Sequence, residues 1–247
     1  MDIAEAFRHA LDGDAVLFVG AGFSLGAINR RNEQFPLSND LSKLLMSAIG
    51  ETEVVPLQIA SELYMGRKGR VGLIDFLNQQ LGVREIAAYH KVFGQPSWRR
   101  IYTTNYDEVF ETAARQVGRQ VRSLILAPRL PTPERGQIDC IHINGFLPWA
   151  NAENLDSMLV LSETAYLTTR FLESPWALLL RSDIEAARAV IFAGYSLADL
   201  DISRTVVAVE REKEVRVYRW AKSKPCIKNY NRKIRRFIPS WNYSTSK

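Results

Sequence analysis

Cysteine is scarce in this chain, and long hydrophobic runs are missing. Only Cys140 and Cys226 occur among the 247 residues, and their separation matches no metal-ligand spacing. This excludes a disulfide framework and a four-cysteine zinc centre, so we expect no metal and a cytoplasmic location. No apolar stretch reaches membrane-spanning length, and residues 1–5 are acidic rather than signal-like, so we expect no membrane partner.

Acidic residues are absent from the C-terminal end. Residues 215–247 contain ten lysines and arginines and no aspartate or glutamate, whereas the first 214 residues carry 22 basic and 27 acidic residues. The net charge of +5 therefore arises entirely from this basic end. Two interpretations stay open: a solvated terminal segment, or a segment that binds nucleic acid or an acidic partner.

An apolar run of strand length at residues 16–19 is followed by Gly20, Ala21, Gly22, Phe23 and Ser24. Such a run is typical of a buried parallel strand. The glycines allow a sharp turn and a close approach of the backbone to a ligand, and free N–H groups there can cradle a phosphate. The alternative is that these glycines serve packing alone.

The remaining pattern alternates between strands and helices. Further strands are predicted at residues 98–103, 121–126, 138–143, 158–161, 189–193 and 214–219. Residues 39–94 have helical patterns, including 57–65 and 71–81, and no predicted strand, while residues 29–33 resemble an exposed loop. We therefore predict an α/β, Rossmann-like, doubly wound and mostly parallel sheet, with a helical insert subdomain and no zinc module. The predicted boundaries are 1–38 and 95–220 for the Rossmann-like domain, 39–94 for the insert and 221–247 for a basic C-terminal tail.

Four predicted strands end in glycine or polar residues, at 20–24, 103–107, 142–145 and 194–196. In a doubly wound sheet these ends would converge on one crevice. In their order and spacing they resemble the sirtuin-like (silent information regulator 2-like) domain family. Residues 103–107 and 191–201 are most similar to the branch found in prokaryotic anti-phage defence proteins, and the resemblance covers roughly residues 10–205.

The resemblance implies an NAD-binding domain that cleaves the bond between nicotinamide and ribose, with NAD as the substrate. Asn105 and Asp107 would line the nicotinamide ribose, and Asn105 would orient the ribose or a water. The resemblance also implies which residues contact the rest of the dinucleotide. The pyrophosphate and the adjoining ribose would contact Gly20, Ala21, Gly22 and Ser24. The adenosine end would contact Gly194 and Ser196. The residues alone leave simpler roles open, because Asn105 can cap a helix and Asp107 can interact with a helix dipole.

The third motif departs from the family pattern, in which a histidine directly precedes the glycine. Here Asn144 precedes Gly145, and His142 lies two residues earlier. On a strand, His142 and Asn144 point to the same face about 7 Å apart. We predict that His142 is catalytic and that Asn144 and Gly145 contact the substrate, although a structural role for His142 is the alternative.

The predicted function is NAD⁺ hydrolysis to nicotinamide and ADP-ribose or a cyclic form. Two cysteines cannot build the zinc module of sirtuin deacylases, so deacylation is not expected. The resemblance implies an anti-phage effector that depletes NAD, as a homo-oligomer or with a partner protein that triggers it. The alternative is a catalytically weak sensor or regulatory subunit that binds NAD or ADP-ribose.

Overall fold

The computed structural model describes residues 3–132, 134, 136–161, 174–195 and 216–220. In chain order, its strands are β1 (Ala15–Val19), β2 (Ile28–Asn29), β3 (Val83–Glu85), β4 (Arg100–Thr103), β5 (Val121–Ile125), β6 (Ile138–His142), β7 (Ala189–Ala193) and β8 (Arg216–Trp220). The helices are α1 (Ile3–Leu11), α2 (Ala21–Ser24), α3 (Ser38–Ala48), α4 (Leu57–Leu81), α5 (Ala88–Gly94), α6 (Val109–Gln116), α7 (Leu155–Met158) and α8 (Pro175–Ala186), with a 3₁₀ helix at Leu147–Trp149. Ser196 and the basic tail at 221–247 lie outside the described residues.

Six strands form one sheet in the order β5-β6-β4-β1-β7-β8. Every neighbouring pair is parallel. The chain passes from β1 to β4 on one side and later reaches β7 on the other, so the winding reverses beside β1. Open α/β sheets bind ligands in the crevice at such a reversal. The predicted Rossmann-like α/β fold with a mostly parallel sheet is thus confirmed.

Alternate residues of β1 pack on opposite faces of the sheet. Leu17 belongs to the larger apolar cluster, which contains residues of α1 and of α3 to α6. Phe18 belongs to the smaller cluster, together with Trp176 and Leu180 of α8. Because helices cover both faces, all five residues of β1 are buried, which explains its continuous apolar sequence.

The segment between β1 and β4 contains α3, α4, α5 and the antiparallel pair of β2 and β3. Helix α4 consists of two segments that meet at Gly69, where φ of 75° and ψ of 173° interrupt the helix. This break separates the two helical patterns at 57–65 and 71–81. Among the residues described above, no helix combines the length and the apolar character needed to cross a bilayer.

Two expectations for the segment between β1 and β4 are wrong in part: an exposed loop at residues 29–33, and the absence of a strand between residues 39 and 94. Asn29 lies in β2, is fully buried and donates a side-chain hydrogen bond to the carbonyl of Gln80 (3.2 Å). β2 pairs with β3 at Val83–Glu85. Strands of two or three residues are too short to show the alternation by which a strand is recognised.

The strand predicted at residues 158–161 is also wrong. Helix α7 ends at Met158, and Leu159 forms only an isolated bridge with Gly145. A short apolar run does not distinguish a strand from a buried helix end. The packing of Leu155 and Leu159 in the larger core cluster decides this segment.

The contact between α8 and the sheet can be tested with two leucines of the same helix. Leu180 is 0% exposed, whereas Leu178 is 72% exposed. We expect Leu180→Ala to lower the free energy of unfolding by about 2–5 kcal/mol, because it removes buried methyl groups and leaves a cavity. Leu178→Ala is the control and should change it by less than about 0.5 kcal/mol in urea denaturation. Equal effects would contradict the assigned packing of α8.

Candidate functional site

A cavity of about 310 Å³ opens at the carboxyl edge of the sheet. Its size is within the range of small-molecule sites. Five residues predicted to contact the substrate or take part in catalysis line it: Ala21, Ser24, Asn105, Asp107 and Asn144. We call it the edge cavity; its other lining residues are Phe35, Pro36, Ser38, Asn39, Leu41, Pro56, Leu57, Gln58, Leu81, Thr104 and Tyr106.

Asn105 connects the ends of β1 and β4. Its side-chain nitrogen donates hydrogen bonds to the carbonyl of Gly20 (3.2 Å) and to the hydroxyl of Ser24 (3.0 Å). These two acceptors fix the amide so that nitrogen faces β1. No hydrogen bond among the described residues uses the side-chain oxygen of Asn105, which therefore remains an acceptor for a ligand or a water at the cavity.

Asp107 lies at the start of α6 and is 8% exposed. One carboxylate oxygen accepts the hydroxyl of Ser24 (2.9 Å), and the other accepts the backbone N–H of Val109 (3.0 Å). Burial raises the pKa of Asp107 from 3.8 to about 6, and these two hydrogen bonds only partly oppose the rise. A buried carboxylate thus stands beside Asn105, and the helix-start role left open by the sequence is fulfilled at the same time.

Asn144 follows the end of β6 by two residues and also lines the edge cavity. Its side-chain nitrogen donates to the carbonyl of Thr104 (3.2 Å), which ties the end of β6 to the end of β4. Gly145 has a φ of +97°, and a side chain there would collide with the backbone of Met158. Gly145 does not line the cavity, so its substrate contact stays a prediction, and the turn itself requires glycine.

His142 lies under the edge cavity and is 1% exposed. Its Nδ1 is 3.0 Å from the backbone oxygen of Asn105, and its Nε2 is 2.7 Å from the Glu111 carboxylate. Burial would lower the pKa of His142, but Glu111 outweighs this and raises it. Burial likewise opposes ionisation of Glu111, but His142 lowers the pKa of that carboxyl. Both ring nitrogens of His142 thus face oxygen atoms, with the proton of Nε2 shared with Glu111, and His142 does not line the edge cavity.

The glycines at the ends of β1 and β7 pack against each other. The N–H of Gly22 donates to the carbonyl of Gly194 (2.9 Å), and the N–H of Gly20 donates to that of Ala193 (3.0 Å). Gly194 has a φ of +62°, and a side chain there would overlap the backbone of Phe23. The packing explanation thus accounts for these three glycines, none of which lines the edge cavity. Their predicted dinucleotide contacts are untested, and so is that of Ser196, which is outside the described residues.

The other two histidines lie away from the edge cavity. His90 is fully buried; its Nδ1 accepts the N–H of Ala87 (2.9 Å), so its Nε2 donates to the carbonyl of Phe23 (2.8 Å). The hydroxyl of Tyr89 donates to the same carbonyl (2.7 Å). Helix α5 thereby holds the turn that follows β1. His9 lies on α1 and does not line the edge cavity.

Sequence reasoning missed Glu111 and the apolar wall of the edge cavity. Glu111 lies on α6, whereas Asp107 precedes this helix, so their four-residue spacing is not a helix-face pattern and no local signal pointed to Glu111. The apolar wall comes from the starts of α3 and α4 and the end of α4, at Leu41, Leu57 and Leu81. No local signal relates these residues to β4.

Comparison with protein families gives one match, to the SIR2-like domain, over residues 99–241. The match covers more than half of the chain. The chain belongs to the SIR2-like domain family. No curated protein matches it. SIR2-like domains use NAD as a substrate, so membership indicates an NAD-related function.

The family match begins at residue 99, so β1 and its glycine turn precede the matched range of this SIR2-like domain. The structure nevertheless joins them to that range. Val19 pairs with Thr103 and with Ala193, and Ser24 contacts Asp107. The candidate site therefore includes residues on both sides of the segment between β1 and β4.

Because the pKa of Asp107 is raised in the folded protein, we expect the free energy of unfolding to depend on pH. Because the folded-state pKa exceeds 3.8, the folded protein binds this proton more tightly than the unfolded chain. The resulting stabilisation is complete below pH 3.8 and is lost as the pH rises through about 6. The loss amounts to about 3 kcal/mol.

Urea denaturation of wild type and Asp107→Asn between pH 3.5 and 7.5 measures this cost. The difference in unfolding free energy should shift in favour of the variant by about 3 kcal/mol over this range. Asp75→Asn, at an exposed position of α4, is the control and should show no such trend. A pH-independent difference for Asp107→Asn would contradict the raised pKa.

Proposed function

We propose that this SIR2-like domain hydrolyses NAD⁺ at the bond between nicotinamide and ribose. The main support is the hydrogen-bonded set of Ser24, Asn105 and Asp107 at the edge cavity. These three residues come from two separate strand ends, and they present an amide oxygen, a hydroxyl and a carboxylate to one small cavity. Family membership supports NAD as the substrate.

The proposed chemistry needs acceptors more than a strong nucleophile. When the bond from ribose to nicotinamide breaks, nicotinamide takes the bonding electrons and leaves neutral, and the ribose acquires oxocarbenium character. The carboxylate of Asp107 stabilises this positive charge, and the free side-chain oxygen of Asn105 orients a ribose hydroxyl or the attacking water. Addition of water then gives ADP-ribose and releases one proton; attack by a group of the adenine instead would give a cyclic product.

The two candidates in the third motif have different surroundings. Asn144 lines the edge cavity, with its side-chain oxygen unused by any hydrogen bond in the described part of the chain. His142 instead donates to the backbone oxygen of Asn105 from beneath. These contacts favour Asn144 as the substrate contact and His142 as a positioning residue. In this proposal His142 holds Asn105 in place, instead of the catalytic role that the sequence predicted for it.

A second candidate function is an NAD or ADP-ribose sensor with little turnover. The observation that favours it is Asn144 itself, because an amide cannot accept a proton as a general base. In either case the domain would act with a partner chain or as a homo-oligomer. The proposed biological role is anti-phage defence, by depletion of NAD in the first case and by regulation of a partner in the second.

Nicotinamide release from NAD⁺ tests the proposed role of Asn105, which links the ends of β1 and β4. We expect Asn105→Ala to lower kcat at least about 100-fold, because it removes the acceptor and the link to Ser24. Gln79→Ala removes an exposed amide from α4 and is the control. Unchanged release in Asn105→Ala, with the fold intact by circular dichroism, would overturn the hydrolase mechanism. Calorimetric binding of NAD⁺ without release by the wild type would favour the sensor.

The third motif allows a gain-of-function test. Asn144→His places an imidazole at the cavity, and we expect it to raise the rate of nicotinamide release at least about 10-fold, since positioned acid–base groups contribute 10²- to 10⁴-fold. Asn144→Gln keeps an amide and serves as the matched control. If His and Gln variants release nicotinamide equally slowly, an imidazole at residue 144 does not act as an acid–base group in this reaction.

A further inference from the structure

Glu111, Cys140 and His142 form a compact cluster between β6 and α6. One donor atom from each residue lies within 4.8 Å of the other two. The sulfur of Cys140 is 3.8 Å from Nε2 of His142, and that nitrogen is 2.7 Å from Oε1 of Glu111. All three residues are buried, at 6% exposure or less. The cluster therefore combines a thiol, an imidazole and a carboxylate in a buried position.

The surroundings of this cluster are those of metal ligands. Histidines that bind metals usually direct their second ring nitrogen to a carbonyl or carboxylate, which fixes the ring. Here Nδ1 of His142 donates to the backbone oxygen of Asn105 (3.0 Å), so Nε2 faces Cys140 and Glu111. The hydroxyl of Ser123 donates to Oε1 of Glu111 (3.0 Å), which fixes the carboxylate in the same way.

One atom in the cluster has no partner. Oε2 of Glu111 is buried, and no hydrogen bond within the described ranges reaches it. A buried carboxylate oxygen left unsatisfied costs free energy unless a water or an ion compensates it. This orphaned oxygen is an observation independent of the spacing of the three residues, and it suits a cation as a partner.

We propose that Glu111, Cys140 and His142 bind a divalent transition metal ion of the zinc class. In a tetrahedral zinc site, metal–ligand lengths of about 2.3 Å for sulfur and 2.0–2.1 Å for nitrogen place these two ligand atoms about 3.6 Å apart. The observed separation is 3.8 Å. Nε2 of His142 and Oε1 of Glu111 are 2.7 Å apart, the length of a hydrogen bond, so the Glu111 carboxylate has to move away from Nε2 to about 3.3 Å when the ion enters. A thiolate together with an imidazole selects zinc over calcium or magnesium, which prefer oxygen ligands.

Binding of the ion releases protons from its ligands. The thiol of Cys140 loses its proton, Nε2 of His142 loses the proton that it shares with Glu111, and Glu111 coordinates as a carboxylate. Two protons are thus released for each ion bound. Nδ1 of His142 keeps its proton and its hydrogen bond to Asn105. The ion therefore leaves the link to the edge cavity in place.

A second cavity gives access to this site. It has a volume of about 490 Å³ and is lined by Glu111 and Ser123, together with residues of α6, of the 3₁₀ helix and of the segment around β5. We call it the α6 cavity. It provides a route for the ion and room for a water as the fourth ligand. None of the three ligands lines the edge cavity, so the metal is a structural support and does not contact the proposed substrate.

Metal binding to the full chain tests this proposal without any measurement of activity. The purified protein is stripped with a chelator and titrated with Co²⁺, which reports thiolate ligation by a charge-transfer absorption band, and then with Zn²⁺. We expect one ion per chain by elemental analysis, displacement of Co²⁺ by Zn²⁺, and a higher Tm with Zn²⁺. Absence of stoichiometric binding, or binding without the thiolate band, would overturn the proposal.

Variants locate the ion. Cys140→Ser should abolish the charge-transfer band and weaken Zn²⁺ binding at least about 10-fold, whereas Cys226→Ser, which removes the only other cysteine, should leave both unchanged. Glu111→Gln should weaken binding yet keep the band, and it provides a second test if Cys140→Ser does not fold. Glu108→Gln, in the α6 cavity wall, is its control. A band lost in Cys226→Ser instead would place the metal elsewhere and overturn the assignment.

Discussion

The parallel register of β7, β1, β4 and β6 determines where the chain leaves the sheet. Val19 pairs with both Thr103 and Ala193, and Thr103 pairs with His142, so the last residues of four strands lie side by side. Everything that follows them in the sequence therefore emerges at the same edge. A shift of one residue in any pair would turn its side chains to the other face of the sheet, and the polar ends would no longer meet.

Two buried carboxylates, Asp107 just before α6 and Glu111 on it, have opposite electrostatic surroundings. Asp107 is held by a hydroxyl and a backbone N–H, which do not compensate its burial, and its pKa rises to about 6. Glu111 faces His142, whose charge and hydrogen bond outweigh burial, and its pKa falls. Similar residues thus acquire different properties from their neighbours alone. The first stands at the edge cavity, and the second belongs to the network that supports it.

The insert between β1 and β4 supplies the apolar wall of the edge cavity, and the sheet supplies its polar wall. Leu41, Leu57 and Leu81 come from α3 and α4, whereas Asn105, Asp107 and Asn144 follow β4 and β6. Small-molecule sites commonly combine a largely apolar lining with a few placed polar groups.

The sequence by itself determined the elements that are buried on both faces. The continuous apolar runs of β1 and β7, followed by glycines, are typical of central strands in a parallel sheet, and the polar residues after β4 and β6 are then expected at its edge. The sequence did not predict the short elements β2, β3 and α7, because two to four residues show no usable periodicity. These elements form through contacts with distant partners.

Only the tertiary structure decided what each site residue contacts. His142 and Asn144 share a strand face in the sequence pattern, yet α6 covers His142, and the turn before Gly145 leaves Asn144 at the cavity. The glycines after β1 and β7 pack so closely against each other's backbone that a side chain would not fit. Neither segment shows this contact in its own sequence. Glu111 acquired its role from a histidine 31 residues away. Sequence periodicity specifies which face a residue occupies, but the neighbours on that face come from remote segments of the chain.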